Sequence, residues 1–398
     1  MMVYRPSGTS GLGPTTVSLD GGPERRSRVL MFSQRNLCEV EIWRSVIRAF
    51  EGVIDEIDSV DILAPQPLNG YKYRSKIAWR VGRDSRMVLN PGVPRAKLDR
   101  CYDLFVAFCD KTTELFHVYA ALKHWRDWCK TSVCWLNELW VSRLPLNKSY
   151  VKILSNFDYV LSPLSQSVEP INEAIGGKCF FVPSGVDADR FFPYATAAKR
   201  SIDVLSIGRR SIAAHRAFLK MARDDKLFYV YDTIADMHTR DMEEHRFLIA
   251  SMAKRSRYFV VGPAKWDRPD ERAEQSEMGS RFFEGAAAGT IMIGERPRNA
   301  EFEKAFPWAD AVVELPDDSR AIEELVRDMD GRPDWQEHLR RTNVVQALLR
   351  HDWVYRWETV LHAAGLEPLP KLVERKERLR RLAAIAQKTQ FADEALPR

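Results

Sequence analysis

Apolar residues run through this chain in two alternating rhythms. Short unbroken runs such as RVLMFS, beginning at Arg28, are what a strand covered on both faces requires. VDIL, CYDLFVAFC, SVCWLNELW and FDYVLSPLS predict four more strands of this kind. Between them the spacing changes to that of a helix. EVEIWRSVIRAFEGV puts Val40, Trp43, Ile47 and Phe50 on one face, and KTTELFHVYAALKHW behaves similarly. A strand followed by a helix, many times over, predicts a parallel sheet with helices on its faces. The second half repeats the style with CFFV, SIDVLSIG, LFYVYD, YFVV, TIMIG and AVVEL as strands. Its amphipathic helices are AHRAFLKMAR, EEHRFLIASMAKR, SRFFEGAAAG and SRAIEELVRDM. No short internal repeat is present. The expected fold class is α/β, in two halves of the same style.

Where the halves meet, the chain reads FFVPSGVDADRFFP, Phe180 to Pro193. Pro183, Ser184 and Gly185 turn the chain, and Asp187 and Asp189 are turn and cap formers. Phe191 and Phe192 are too apolar for a free linker. The stretch is either a connector pinned to a domain face or a strand-to-helix loop within one large domain. The expected divisions are a disordered leader (1–27), a first unit (28–178), a second unit (179–365) and a basic tail (366–398). In the tail, PKLVERKERLRRLAAIAQK offers Leu372, Leu379, Leu382 and Ile385 to one helix face. That face either packs on the protein or lies on anionic lipid.

Composition narrows the function. An apolar fraction of 45% supports a sizeable core in a 398-residue chain. The net charge of +5 arises from densely mixed signs, which argues against nucleic acid but leaves anionic small ligands open. No run is long and apolar enough to span a bilayer, and the first residues lack a signal-peptide core. The six cysteines are scattered and the eight histidines show no metal spacing. Reduced thiols in a cytoplasm and no zinc are expected.

In open parallel sheets, ligands bind beyond the carboxyl ends of the strands. After DVLSIG come Gly208, Arg209 and Arg210, a glycine bend with two guanidiniums able to grip a diphosphate. A basic surface turn is the plainer reading. The second candidate is EMGSRFFEGAAAGTIMIGE. Ser280 reads as the N-cap of a helix whose free N–H groups suit phosphate, and Gly289 as its stop. Glu284, one turn in, is placed to accept hydrogen bonds from a ribose diol, or else is a solvent-facing glutamate.

VPSGVDADRFFP resembles a segment of the group 1 (family 4-like) retaining glycosyltransferases, nucleotide-sugar enzymes with the GT-B fold. DVLSIGRR is similar to their strand leading into a Gly-Arg pair. RFFEGAAAGTIMIGE resembles their helix and following strand, FDYVLSPLSQSVEPI a strand and helix of their first domain, and HDWVYRWETVL their C-terminal tryptophan-containing helix. The matches follow the same order from Arg28 to Gly365 and are dense from Phe157 onward. Departures mark a divergent member, nearer the spore-coat type. Glu277 and Glu284 stand one residue closer than the family's glutamate pair, so Ser276 falls in the first position. No lysine follows the Gly-Arg pair, where only His215 or Arg216 could substitute. SQRN after the first strand lacks the usual glycines.

The resemblance implies two Rossmann-like domains. It makes Glu277 and Arg209 the candidate catalytic residues, with Gly208, Arg210, Arg216, Ser280, Arg281 and Glu284 holding the substrate. It implies sugar transfer with retention from a nucleoside-diphosphate sugar to a glycan, a lipid-linked molecule or a small molecule, with no cofactor and no metal. Asn137, Glu138 and His117 are acceptor-side candidates. The implied place is the cytoplasm, with the tail available for contact with the inner membrane face. An inverting enzyme or sugar-nucleotide epimerase of the same fold, and a non-catalytic nucleotide-binding scaffold, are the alternatives.

Overall fold

The computed structural model describes residues 27–37, 44–193, 200–232 and 241–388. The expected leader, apart from Ser27, and the helix positions Val40 and Trp43 lie outside them. Six strands form the first sheet: β1 (Val29–Phe32), β2 (Val60–Leu63), β3 (Tyr102–Cys109), β4 (Cys129–Leu136), β5 (Tyr159–Ser162) and β6 (Cys179–Phe181). Their order is β2-β1-β3-β4-β5-β6, and every pairing is parallel. The chain between them includes α1 (Ser45–Ile57), α2 (Tyr71–Asp84), α3 (Leu115–Ala121), α4 (Lys148–Leu154) and α5 (Val168–Ile175).

A one-turn helix, α6 (Ala188–Phe191), leads to the second sheet. Its strands are β7 (Ile202–Ser206), β8 (Tyr229–Tyr231), β9 (Ser256–Val261), β10 (Ile291–Gly294) and β11 (Val313–Glu314), in the order β11-β10-β9-β7-β8, again all parallel. The helices of this half are α7 (Ile212–Arg223), α8 (Met242–Lys254), α9 (Pro269–Arg272), α10 (Ser280–Ala287), α11 (Ala300–Ala305), α12 (Ser319–Asp330) and α13 (Pro333–Arg350). The last elements among the described residues are α14 (Trp353–Ala363) and α15 (Pro370–Lys388). The expected parallel α/β architecture with two sheets is therefore observed. β1 and β10 are buried at every position, which is why they read as unbroken apolar runs. One placement differs: Cys179–Phe181, read above with the second half, pairs with β5 and completes the first sheet.

The stretch from Val182 to Phe192 is a pinned connector. Val186 bridges Asp352 through Val186 N–H to His351 O and Trp353 N–H to Val186 O, each 3.0 Å. The Asp352 carboxylate accepts from Ala188 N–H at 2.9 Å. Gly185 lies so close to Trp353 that a Cβ there would meet its ring at 2.8 Å. Phe191 and Phe192 are buried in a cluster shared with α13, α14 and α15. Those last helices return to the first half. Trp353 stacks on Phe50 of α1 with centroids 4.4 Å apart, and Trp357 Nε1 donates to Asp58 at 2.8 Å.

The tail helix α15 buries Leu372, Arg375, Leu379, Ala383 and Ala386. Its inward face thus differs from the expected one: Leu382 is half-buried and Ile385 is exposed. With Leu372 and Leu379 committed to the core, they are not available to a bilayer. Among the described residues, no helix is long and apolar enough to cross a membrane.

Candidate functional site

The carboxyl ends of β7, β8 and β9 and the start of α10 converge on one side of the second sheet. Gly208 has φ +85°, in the left-handed region that glycine adopts without strain. Its N–H donates to Asp232 Oδ2 at 2.9 Å. The two arginines after it part company. Arg210 folds back: its Nη2 donates to Asp232 O at 2.7 Å and pairs with the Asp232 carboxylate, and its guanidinium lies over the Tyr231 ring. Arg209 turns the other way to Asp267 Oδ1 at 2.6 Å. Its side chain is 35% exposed against 16% for Arg210, so Arg209 is the more accessible cation.

Helix α10 begins one residue earlier than its capping was read. Gly279 is the N-cap, without a side-chain bond, and Ser280 is the first helical residue. A Cβ on Gly279 would stand 3.0 Å from Gly262 O, so the helix start packs directly on the loop after β9. Gly289 ends the helix at φ +63°, as expected.

Glu284 differs most from its expected surroundings. It is fully buried, and both oxygens are taken: Arg246 Nη1 of α8 reaches Oε1 at 2.5 Å, and Arg281 Nη1 pairs with Oε2. Arg281 also donates from Nε to Ile207 O at 3.2 Å, which ties it to the end of β7. Burial pushes the Glu284 carboxyl up, but the charges of Arg281 and Arg246 more than reverse this and hold it below its ordinary range. A ribose would reach this carboxylate only if Arg281 or Arg246 gave way. Next to them, burial and the same two arginines push the His245 imidazole down to about 4, so it is neutral at pH 7.

Glu277 is placed as a clamp between the halves. Its Oε2 accepts from Ser165 N–H at 2.9 Å and Ser165 Oγ at 3.0 Å, and its Oε1 from Gln166 N–H at 2.7 Å and Gln275 Nε2 at 3.2 Å. Burial raises its pKa, and the backbone N–H groups offset this only in part. With four donors on its two oxygens, the carboxylate is engaged by protein groups rather than offered to a ligand. Ser276, in the family's first position, uses its N–H on Gln166 Oε1 at 2.8 Å and its Oγ on Arg298 N–H at 3.0 Å. Of the lysine substitutes, His215 Nδ1 bonds Tyr229 O–H at 2.9 Å, and Arg216 is exposed on α7.

The facing wall comes from the first half. Asn137 Nδ2 donates to Asp110 Oδ1 at 3.1 Å. His117 is buried between Tyr71 O–H at 2.9 Å and Gln34 Oε1 at 2.8 Å, and burial pushes it down to about 4. Burial and the neighbouring Glu114 push Asp110 up to about 7, although Arg44 stands 2.9 Å away. Glu138 pairs with Lys265 Nζ at 2.7 Å across the cleft. A separate cavity of about 470 Å³ lies between α1 and α8, lined by Arg35, Arg48, Glu51, Arg190 and Arg246 among others. Among the described residues, no group of His, Cys, Asp and Glu is arranged to hold a metal ion.

Sequence reasoning therefore finds Gly208, Arg209, Arg210, Arg281 and Glu284 together around one strand end. It misses Arg246, Asp232, Asp267 and Lys265. Asp232 could have been flagged, because it directly follows the strand LFYVYD. Nothing local marks Arg246, which sits in an ordinary amphipathic helix.

Residues 249–362 match a family described as glycosyl transferase-like. No curated protein sequence matches the chain. Among solved structures, an alpha-glucosyltransferase in complex with UDP and a 13-mer DNA containing a HMU base is 10% identical, with a TM-score of 0.53. The match covers 85% of this chain and 99% of that one. The Anabaena protein HepE in complex with UDP-glucose is also 10% identical, with a TM-score of 0.50, over 85% of this chain and 100% of that one. At these identities the likeness is one of fold, and the two parallel sheets have the GT-B arrangement.

Proposed function

We propose that this chain transfers a sugar, with retention, from a nucleoside-diphosphate sugar to an acceptor held by the first half. The glycosyl transferase-like match and the fold it shares with proteins solved with UDP or UDP-glucose support the donor class. The observation that carries the reading is the placement of Arg209 and Arg281. One is held by Asp267 and the other by Glu284, both beside the left-handed bend at Gly208.

In the transfer, the bond from the anomeric carbon to the β-phosphate oxygen breaks as the bond to the acceptor oxygen forms. Negative charge grows on the departing diphosphate. Fixed cations aimed at that charge stabilise the transition state more than the ground state. Glu284 then acts through others: by pairing with Arg281 and Arg246 it sets where those guanidiniums stand. Glu277, clamped on Ser165 and Gln166, keeps the α10 loop registered against the first half. Retention puts the acceptor on the face from which the phosphate leaves, so the phosphate oxygen is the nearest base for the acceptor proton. The acceptor class is a glycan, a lipid-linked molecule or a small molecule.

Titration calorimetry with UDP and a panel of nucleoside-diphosphate sugars tests this. Arg209→Ala should weaken diphosphate binding by about 1.5–3 kcal/mol, the scale of a charged hydrogen bond. Asp267→Asn should strengthen it, because the ligand no longer competes with that carboxylate. Equal affinities for the native chain, Arg209→Ala and Arg281→Ala would overturn the site.

A further inference from the structure

Helix α2 faces the opposite way from an ordinary surface helix. Only Ser75, Ala78 and Gly82 are buried, all small residues. They let the helix lie close on its neighbours: Ser149 Oγ of α4 donates to Gly82 O at 2.8 Å, and a Cβ on Gly82 would meet the Phe116 ring at 2.3 Å. Two large apolar side chains further along the helix point outward. Tyr73 is 77% exposed and Ile77 57%, one turn apart and opposite the buried stripe. Leu68 before the helix and Met87 after it are exposed as well. Around Tyr73 and Ile77 stand Lys72, Arg74, Lys76, Arg80 and Arg83, all exposed. The helix has a single acid, Asp84, which pairs with Arg83 at 3.0 Å.

We propose that α2 is a membrane-surface helix, seating the first half of the protein on an anionic lipid headgroup layer. A pole of tyrosine and isoleucine ringed by cations has the chemistry of that boundary, where the apolar pole enters the headgroup region and the cations meet lipid phosphates. The charge is complementary to anionic lipid. A soluble polyanion would use the cations and leave Tyr73 and Ile77 in water. The tail helix does not compete for the role through its leucines, since Leu372 and Leu379 are buried. The position also connects to the cleft. Tyr71, the first residue of α2, bonds His117 at 2.9 Å in the polar network of the first half. A lipid-borne acceptor at the surface would thus lie beside that wall; this last clause rests on the proposed transfer, whereas membrane binding does not.

Co-sedimentation of the full chain with phosphatidylcholine vesicles, with and without phosphatidylglycerol, is the test, run without any donor. Binding is expected only to the anionic vesicles and should fall as salt rises. Each surface cation removed should weaken it about five-fold, so Lys76→Ala with Arg80→Ala should lose on the order of 25-fold. Tyr73→Ser with Ile77→Ser should also weaken it, with the melting temperature unchanged because these side chains are exposed. Absence of binding by the native chain would overturn the proposal. So would binding lost in Arg380→Glu with Arg381→Glu on α15 but kept in the α2 variants. Heparin binding as tight as vesicle binding, with the Tyr73 and Ile77 substitutions silent, would instead reveal a polyanion surface. Because no sugar transfer is read, failure here leaves the transferase reading intact, and the reverse also holds.

Discussion

Replacing Glu284 by glutamine separates two roles that the sequence alone leaves entangled. The substitution keeps the side chain's size and removes its charge. In the structure that charge is the counter-ion of Arg246, whose side chain is only 3% exposed, and of Arg281. Glutamine leaves Arg246 as a buried cation with a neutral partner. Breaking a buried pair from one side costs about 3–5 kcal/mol. Arg281, partly open to water, recovers some of its share by solvation. For a unfolding unit of 150–250 residues the loss corresponds to on the order of 6–20 °C in melting temperature. Differential scanning calorimetry reads this directly, and UDP titration on the same variant reads the site. A lower melting temperature together with weakened UDP binding is the expected pair of results. The pH dependence has a definite sign. The folded carboxyl titrates below its ordinary value, so its stabilisation is complete above the unfolded value of about 4.3 and is lost as pH falls through the folded one. The gap between native and Glu284→Gln stability should therefore be flat near neutrality and close in acid. An unchanged melting transition, with affinity lost only for nucleotides that keep their ribose hydroxyls, would refute the reasoning and return Glu284 to the ribose.

Two further substitutions probe how the halves are joined. Gly185→Ala puts a methyl 2.8 Å from the Trp353 ring and 3.0 Å from His351 O, so overpacking should cost about 1–3 kcal/mol in denaturant unfolding; no loss would mean that the connector is loose there. Arg375→Met removes the cation bonded to Asp352, Asp187 and Glu56, each at 2.8 Å, and should cost about 3–5 kcal/mol, whereas Arg378→Met at the exposed neighbouring pair should cost about 1 kcal/mol or less; equal effects would contradict the burial of Arg375.

The fold was legible because a doubly covered parallel sheet leaves an unmistakable trace. VLMF and IMIG carry no polar side chain at any position, as both faces of their strands demand. The connector was legible as pinned from its aromatics, but not what pins it. Val186 pairs with Asp352, a partner that no local pattern could name. Helix α2 is illegible for a related reason: its buried stripe is Ser, Ala and Gly, which leaves no apolar period, and Tyr73 and Ile77 face water.

The site divides along the same line. Sequence alone settled which residues follow the strand ends, because strand runs, glycine bends and helix starts are local. The family resemblance implied that Arg209, Arg210, Arg281 and Glu284 serve one site. The sequence could not decide which charges face a ligand and which face each other. That depends on Arg246 arriving from α8, Asp232 from the end of β8 and Asp267 from the loop after β9, all distant in the chain. Ion pairing acts through space and falls off within a few ångströms, so whether a carboxylate is a ligand group or a buried counter-ion was fixed only when the tertiary structure brought its partners to it.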